Sequence, residues 1–352
     1  MSLRDRLIAR IAATGPMSMA DYMSACLHDP ADGYYATRPA LGAKGDFITA
    51  PLVSQMFGEL IGLWMVETWR QMGAPAAFRL VEMGPGDGTL MSDLLRVARL
   101  DSGFLGAADV WLIETSAPLV DRQRERLGDQ AQWCASLEEV PSGAPMLLVA
   151  NELLDCLPAR QFQRDGRGWA ERQVGLGPTG DLIVGLTASA LSPMLPSAPE
   201  GAVFEQSAAQ EGLGAELGQR LLADGGVALL IDYGRAEPGF GDTLQALVAH
   251  QKVPILEAPG QADLTVHADF PAVARAAENG GAKTWPILTQ GDFLVRLGIG
   301  ARAEALSTTR PDLAQIIERQ IERLVSPDQM GELFKVLCLS RTELAPPGFE
   351  TA

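Results

Sequence analysis

Arg79-Leu80-Val81-Glu82-Met83-Gly84-Pro85-Gly86-Asp87-Gly88-Thr89-Leu90 decides how this chain is read. A short apolar strand runs into three glycines, and a carboxylate stands two residues before the first of them. Glycine lets backbone approach a ligand without a Cβ and permits positive φ, so the turn can wrap a small molecule closely. A phosphate-cradling loop would add Lys-Ser/Thr after its last glycine, whereas here Asp87 and Thr89 flank Gly88 and no basic residue follows nearby in sequence. The G-x-G-x-G spacing also departs from the G-x-G-x-x-G of dinucleotide folds, which disfavours a nicotinamide-dependent oxidoreductase. An acid beside such a loop suits a cationic or zwitterionic nucleoside.

The flanks support that reading. Leu90, Leu94, Leu95, Val97 and Ala98 recur at helical spacing, and Asp109-Val110-Trp111-Leu112-Ile113-Glu114 reads as a second buried strand ending in an acid. In a β-α-β unit a carboxylate there accepts from both ribose hydroxyls, the role expected of Glu114. Gly84, Pro85, Gly86, Gly88 and Thr89 complete the expected ligand loop. A third apolar run, 145–150, has the character of a central parallel strand and ends in Asn151-Glu152-Leu153-Leu154-Asp155; a fourth, 227–231, ends in Asp232-Tyr233-Gly234. Alternating strands and helices predict an α/β fold with a doubly wound, Rossmann-like parallel sheet, whose ligands bind outside the carboxyl ends of the strands. All four polar clusters fall at such ends.

Outward from this unit, helices are expected over 2–13 and 53–72, giving a helical amino-terminal lobe over 1–76. The main domain is expected over 77–345, with mixed α/β insertions at about 159–200 and 235–310, a helix near 313–324, a last strand over 334–339 and a tail over 346–352. Within the lobe, Lys44–Pro51 is too polar for a core element and reads either as an active-site wall or as a connector with Thr49 and Pro51 at a helix start.

The chain has 352 residues and 47% apolar content, enough for a large core, and a net charge of −16, which argues against broad binding to nucleic acid or anionic membrane. Cys26, Cys134, Cys156 and Cys338 are unpaired in spacing and form no metal pattern with His28, His250 and His267, so no metal is expected and free thiols in a reducing compartment are. No run reaches the ~18–20 apolar residues of a membrane helix, and Met1–Ala13, although it carries three arginines, reads as a folded helix, so the expected location is cytoplasmic. Apolar helices of the lobe leave two options, a homodimer face or packing on the sheet.

Several further segments carry a resemblance. They are Gly45–Pro51 with Phe57–Gly62, Glu82–Leu90, Ala150–Pro158 with Gln161-Phe162, Asp232–Gly234, Gly241–Gln245 with His250, Asp263–Thr265 with His267 and Asp269-Phe270, and Gln290–Leu294 with Leu297–Ile299. In these the chain resembles the MidA-type class I S-adenosylmethionine-dependent methyltransferases, a family that includes a mitochondrial complex I assembly factor that methylates arginine. The match spans residues 20–340, and most of it lies outside the generic cofactor fold. The resemblance implies a seven-stranded class I sheet, S-adenosylmethionine as cofactor and ω-N methylation of a protein arginine, with a respiratory complex I subunit as the protein partner.

Carboxylates facing an arginine would localise its charge and leave one nitrogen nucleophilic. Glu152 and Asp155 stand where such acids are useful, Asn151 can hold the acceptor or the cofactor, and His267 between two acids can act as a base. As plain structure, Asn151 would be a turn former, Glu152 a helix-start acid and His267 a structural histidine. Asp232 and Tyr233 are expected on the acceptor side, with Asp46 and Thr49 closing the pocket. A small-molecule methyltransferase and a cofactor-binding assembly chaperone without catalysis are the alternatives.

Overall fold

A computed structural model describes residues 1–37, 49–189, 194–249, 251–341 and 345–350. Asp46 and His250 lie outside the described residues. The main sheet contains five parallel strands, in the spatial order Gln132–Cys134, Ala108–Ile113, Phe78–Met83, Met146–Asn151 and Gly226–Arg235. Phe334–Ser340 then pairs antiparallel with Gly226–Arg235, and the short Lys283–Thr284 strand closes that edge. These seven strands form the continuous path, and two short strands, Ala268–Asp269 beside Gly226–Arg235 and Leu288–Thr289 beside Phe334–Ser340, bring the sheet to nine, two more than the resemblance implies.

Side chains alternate across the sheet, as the two-residue period of a strand requires. Leu147, Val149, Leu229 and Ile231 enter one core, with Phe57, Trp64 and Leu94 from the helices Gln55–Gln71 and Thr89–Ala98. Met146, Leu148, Ala150, Ala228 and Leu230 enter the other, with Leu217 and Val273 from Ala208–Asp224 and Phe270–Asn279. Both faces are covered, which is why 146–150 is an unbroken apolar run.

The strand order reverses between Phe78–Met83 and Met146–Asn151: the chain proceeds one way through 108–113 and 132–134, then returns to the other side. That reversal opens a crevice at their carboxyl ends.

The amino-terminal region corrects one expectation. Residues 1–76 do not form one lobe. Leu3–Thr14 and Met19–His28 bury Leu7, Ile11, Tyr22, Met23 and Leu27 in a third core with Val174, Leu182, Ala246 and Leu264, whereas Gln55–Gln71 packs on the main sheet. Met17–Ser18 even pairs as a strand with Gln173–Val174. Amphipathic periodicity shows that a helix has a buried face; it does not name the partner of that face.

The first insertion is an antiparallel meander of Arg160–Asp165, Gly168–Leu176 and Leu182–Ala188, with Val203–Gln206 added beside the first. The second is narrower than 235–310. Its own sheet spans Gln245–Val248, Gln251–Val253 and Asp263–Thr265, while Phe270–Asn279 and Gln290–Arg296 belong to the cores of the main domain.

Candidate functional site

A cavity occupies the crevice at the strand-order reversal. Its lining includes Glu82, Gly84, Pro85, Gly86, Asp87, Thr89, Glu114, Asn151 and Glu152, so three of the four expected clusters converge. Thr49, Pro51 and Leu52 close one side, and His28 and Tyr35 another.

The floor is the glycine turn. Gly84, Gly86 and Gly88 have φ of +67°, +56° and +79°, in the left-handed region that penalises side chains. A Cβ on Gly84 would stand 2.9 Å from Cδ1 of Leu153, a side-chain end that would have to move aside. Gly88 caps Thr89–Ala98, and the Thr89 N–H at that helix start donates to Oδ1 of Asp87 at 3.0 Å.

Two residues unseen in the sequence fix this floor from the helix Ala117–Leu127. Arg126 donates to Oγ1 of Thr89 (2.6 Å) and pairs with Asp87 (2.9 Å). The basic residue absent from the sequence around the loop is thus supplied in space, yet it is spent on Asp87. Gln123, wholly buried, donates to the Gly86 carbonyl at 2.7 Å and to Oε2 of Glu114 at 3.2 Å, and its own oxygen accepts from the Trp133 indole at 2.9 Å. Oε1 of Glu114 accepts from Ser116 N–H at 2.7 Å. Burial pushes the Glu114 carboxyl up, against these donors.

Glu82 is 2% exposed, and its Oε2 has no hydrogen-bond partner among the described residues. Burial drives its carboxyl well above the usual range, Asp87 and Glu114 add repulsion, and the Met91 N–H opposes both. Asn151 Oδ1 is likewise buried and without a partner. Two orphaned acceptors in one cavity are costly unless a donor arrives with the ligand. They fit the ammonium group of S-adenosylmethionine, while Glu114 fits its ribose and the turn its close-lying body.

Glu152 has φ +54°, uncommon for a residue with a side chain. Its Oε1 accepts from Ala50 N–H at 2.9 Å and Asn151 Nδ2 at 3.0 Å. Burial, then the nearby Asp155, raise this carboxyl to about 8.

The other expected residues stand apart from the cavity. Asp155 is buried behind the lining and raised to about 6 by burial, offset in part by the Tyr233 hydroxyl. Asp232 is fully buried, and its carboxylate accepts from the backbone N–H groups of Leu154 (2.8 Å), Asp155 (3.1 Å) and Tyr233 (2.8 Å). It pins the turn that carries Glu152 to the next strand and is not at the acceptor surface. Tyr233 is buried beneath it, edge-on to His267 at 5.6 Å. His267 lies outside the lining; burial lowers the pKa of its imidazole, and its backbone N–H donates to Thr243 Oγ1 at 2.9 Å.

His28 and Tyr35, stacked at 5.8 Å, were not anticipated. Their only sequence signal is an aromatic pair, Tyr34-Tyr35, after a Pro/Asp/Gly turn. Among the described residues no group of three or more His, Cys, Asp or Glu side chains could hold a metal ion.

Comparison with known proteins agrees with this geometry. Residues 60–287 match a family model for S-adenosyl-L-methionine-dependent methyltransferases. A mitochondrial protein arginine methyltransferase, NDUFAF7, of Danio rerio is 36% identical over 97% of this chain and 87% of its own length. The Homo sapiens protein of that name is 35% identical over 95% and 82%. A COG1565 superfamily protein of Burkholderia thailandensis, solved with S-adenosyl-homocysteine bound, superposes with a TM-score of 0.84 at 27% identity, covering 99% of this chain and 93% of that one. With its sheet order, its cofactor crevice and these relatives in agreement, the chain belongs to the MidA-type family of class I S-adenosylmethionine-dependent methyltransferases.

Proposed function

We propose that this methyltransferase acts on an arginine side chain of a protein partner, at the mouth of the cavity beside Glu152. The observation that carries the proposal is the Glu152 carboxyl, held by Ala50 and Asn151 at the edge of the cofactor crevice in a strained backbone conformation. The relatives named as protein arginine methyltransferases, matched over nearly the whole chain, support the same acceptor.

S-adenosylmethionine supplies a methyl group on a positively charged sulfur, so the donor end needs alignment more than acid–base help. An arginine is the harder partner, since its guanidinium stays charged below a pKa of ~12 and its lone pairs are delocalised. Glu152, once ionised, orients that group through a charge-assisted pair and leaves the opposite nitrogen facing the crevice. Its raised pKa also suits it to accept the proton that the acceptor nitrogen must lose. Asn151 and Ala50 keep the carboxyl in one orientation. Asp155 acts through Glu152, by charge.

A complex I subunit as the partner is part of the proposal and rests on the family relationship alone. So is a cytoplasmic location, which accords with four buried cysteines that are all free. The test is transfer of a labelled methyl group from S-adenosylmethionine into the proteome of a host lacking this protein. Methylarginine in one protein band supports the proposal and names the partner. Label confined to small molecules overturns it in favour of a metabolite enzyme, and no label despite cofactor binding overturns it in favour of a chaperone.

A further inference from the structure

We infer that Gln123 is a positioning residue for the cofactor's ribose, holding the glycine turn and the Glu114 carboxylate in one fixed register. The inference rests on the S-adenosylmethionine reading of the cavity and goes beyond it, because Gln123 does not line the cavity and acts through residues that do.

The orientation of the amide follows from its neighbours. An indole N–H can only donate, so Trp133 fixes the amide oxygen of Gln123 toward itself. The two amide hydrogens must then point the other way, one to the Gly86 carbonyl and one to Glu114 Oε2. Each strong polar atom of the side chain is used, in a position with no solvent exposure. Leucine or methionine would fill such a site without the cost of burying an amide, so packing alone does not explain glutamine there.

The consequence falls on Glu114. Ser116 N–H donates to Oε1 and Gln123 to Oε2, with the Thr115 N–H also turned toward this carboxylate, so each oxygen is fixed by a donor. A carboxylate held in this way presents two acceptors side by side, matched to two neighbouring hydroxyls. The same amide fixes the Gly86 peptide, so turn and acid cannot drift relative to one another.

Calorimetric titration of the full chain with S-adenosylhomocysteine and with its 2′-deoxy analogue tests this. The wild type is expected to bind the deoxy analogue roughly tenfold more weakly or worse, the scale of one hydrogen bond to a charged group. Gln123→Met and Gln123→Glu are each expected to weaken S-adenosylhomocysteine by about tenfold or more while changing the analogue far less, so that discrimination collapses. In turnover the KM for S-adenosylmethionine should rise in step, with kcat within about twofold to threefold. Gln123→Met keeps a similar length and removes both donors; wild-type binding by it overturns the inference. So does equal weakening of both ligands, which is the mark of a packing defect. Should the Gln123 variants fail to fold, Trp133→Phe, which frees the amide to flip, must also lower the discrimination. A wild type that binds neither ligand removes the cofactor reading itself, an outcome distinct from all of these.

Discussion

The backbone N–H of Ala50 donates to Oε1 of Glu152 across 2.9 Å, joining residues 102 apart in sequence. The acid that faces the crevice is thereby oriented by the segment that closes it. Glu152→Gln should keep cofactor affinity, read by calorimetry, and lower methyl transfer by about 10²-fold or more, the usual scale for a lost general base.

The same carboxyl sets a pH dependence. Its folded-state value, about 8, lies above the ordinary carboxylate range because of burial and Asp155. If the ionised form orients the acceptor, kcat/KM should climb with pH and level off above about 8. Stability runs the other way: the contribution of this group is complete below the ordinary carboxylate range and is lost as pH rises through about 8. Glu152→Gln, neutral throughout, should therefore melt above the wild type in alkaline buffer and close to it in mild acid. Equal melting differences at both pH values would count against the assigned environment.

Glu82 should behave as an acceptor awaiting a cation. Its unpartnered buried oxygen and raised pKa mean that a positively charged ligand draws it into the ionised form, with release of a proton. Calorimetry in buffers of different ionisation enthalpy should detect that proton in the wild type and not in Glu82→Gln. The variant should bind S-adenosylhomocysteine roughly tenfold or more weakly with unchanged or higher thermal stability.

At the turn, Gly86→Val forces a β-branched side chain into φ +56°. The left-handed conformation alone costs about 1–2 kcal/mol, and the added methyls fill ligand space. Cofactor binding should become undetectable while the far-ultraviolet spectrum stays native; ordinary affinity in this variant would remove the turn from the site.

Asp232 was expected to touch the acceptor, and its three backbone donors assign it a scaffold role. Asp232→Ala leaves those N–H groups buried without an acceptor and should cost about 3 kcal/mol or more in urea unfolding. Asp232→Asn, which keeps one acceptor oxygen, should lose less, with the KM for the acceptor unchanged.

Much of the cofactor side was legible because strand ends in a doubly wound sheet converge wherever the strand order reverses, so Glu82, Glu114 and Asn151 could be brought together from pattern alone. Gln123 and Arg126 were illegible for a physical reason. Ala117–Leu127 reads as a polar surface helix, and only the position of Trp133 and of the glycine turn makes one of its polar residues buried. Asp232 misled for a similar reason: a strand-end acid next to the crevice looks the same in sequence whether it faces ligand or backbone. The second insertion was overdrawn because glycines and prolines mark turns, and Phe270–Asn279, between two such stretches, shows only in three dimensions that it covers the main sheet.

The pairing of Met17–Ser18 with Gln173–Val174 sets an order of events on the ribosome. The two amino-terminal helices emerge early, yet the surfaces that cover Leu7, Ile11, Met19 and Met23 belong to residues 156–182 and 246–266. Their apolar faces thus stay uncovered until those later segments have been made, well after the first cofactor strand.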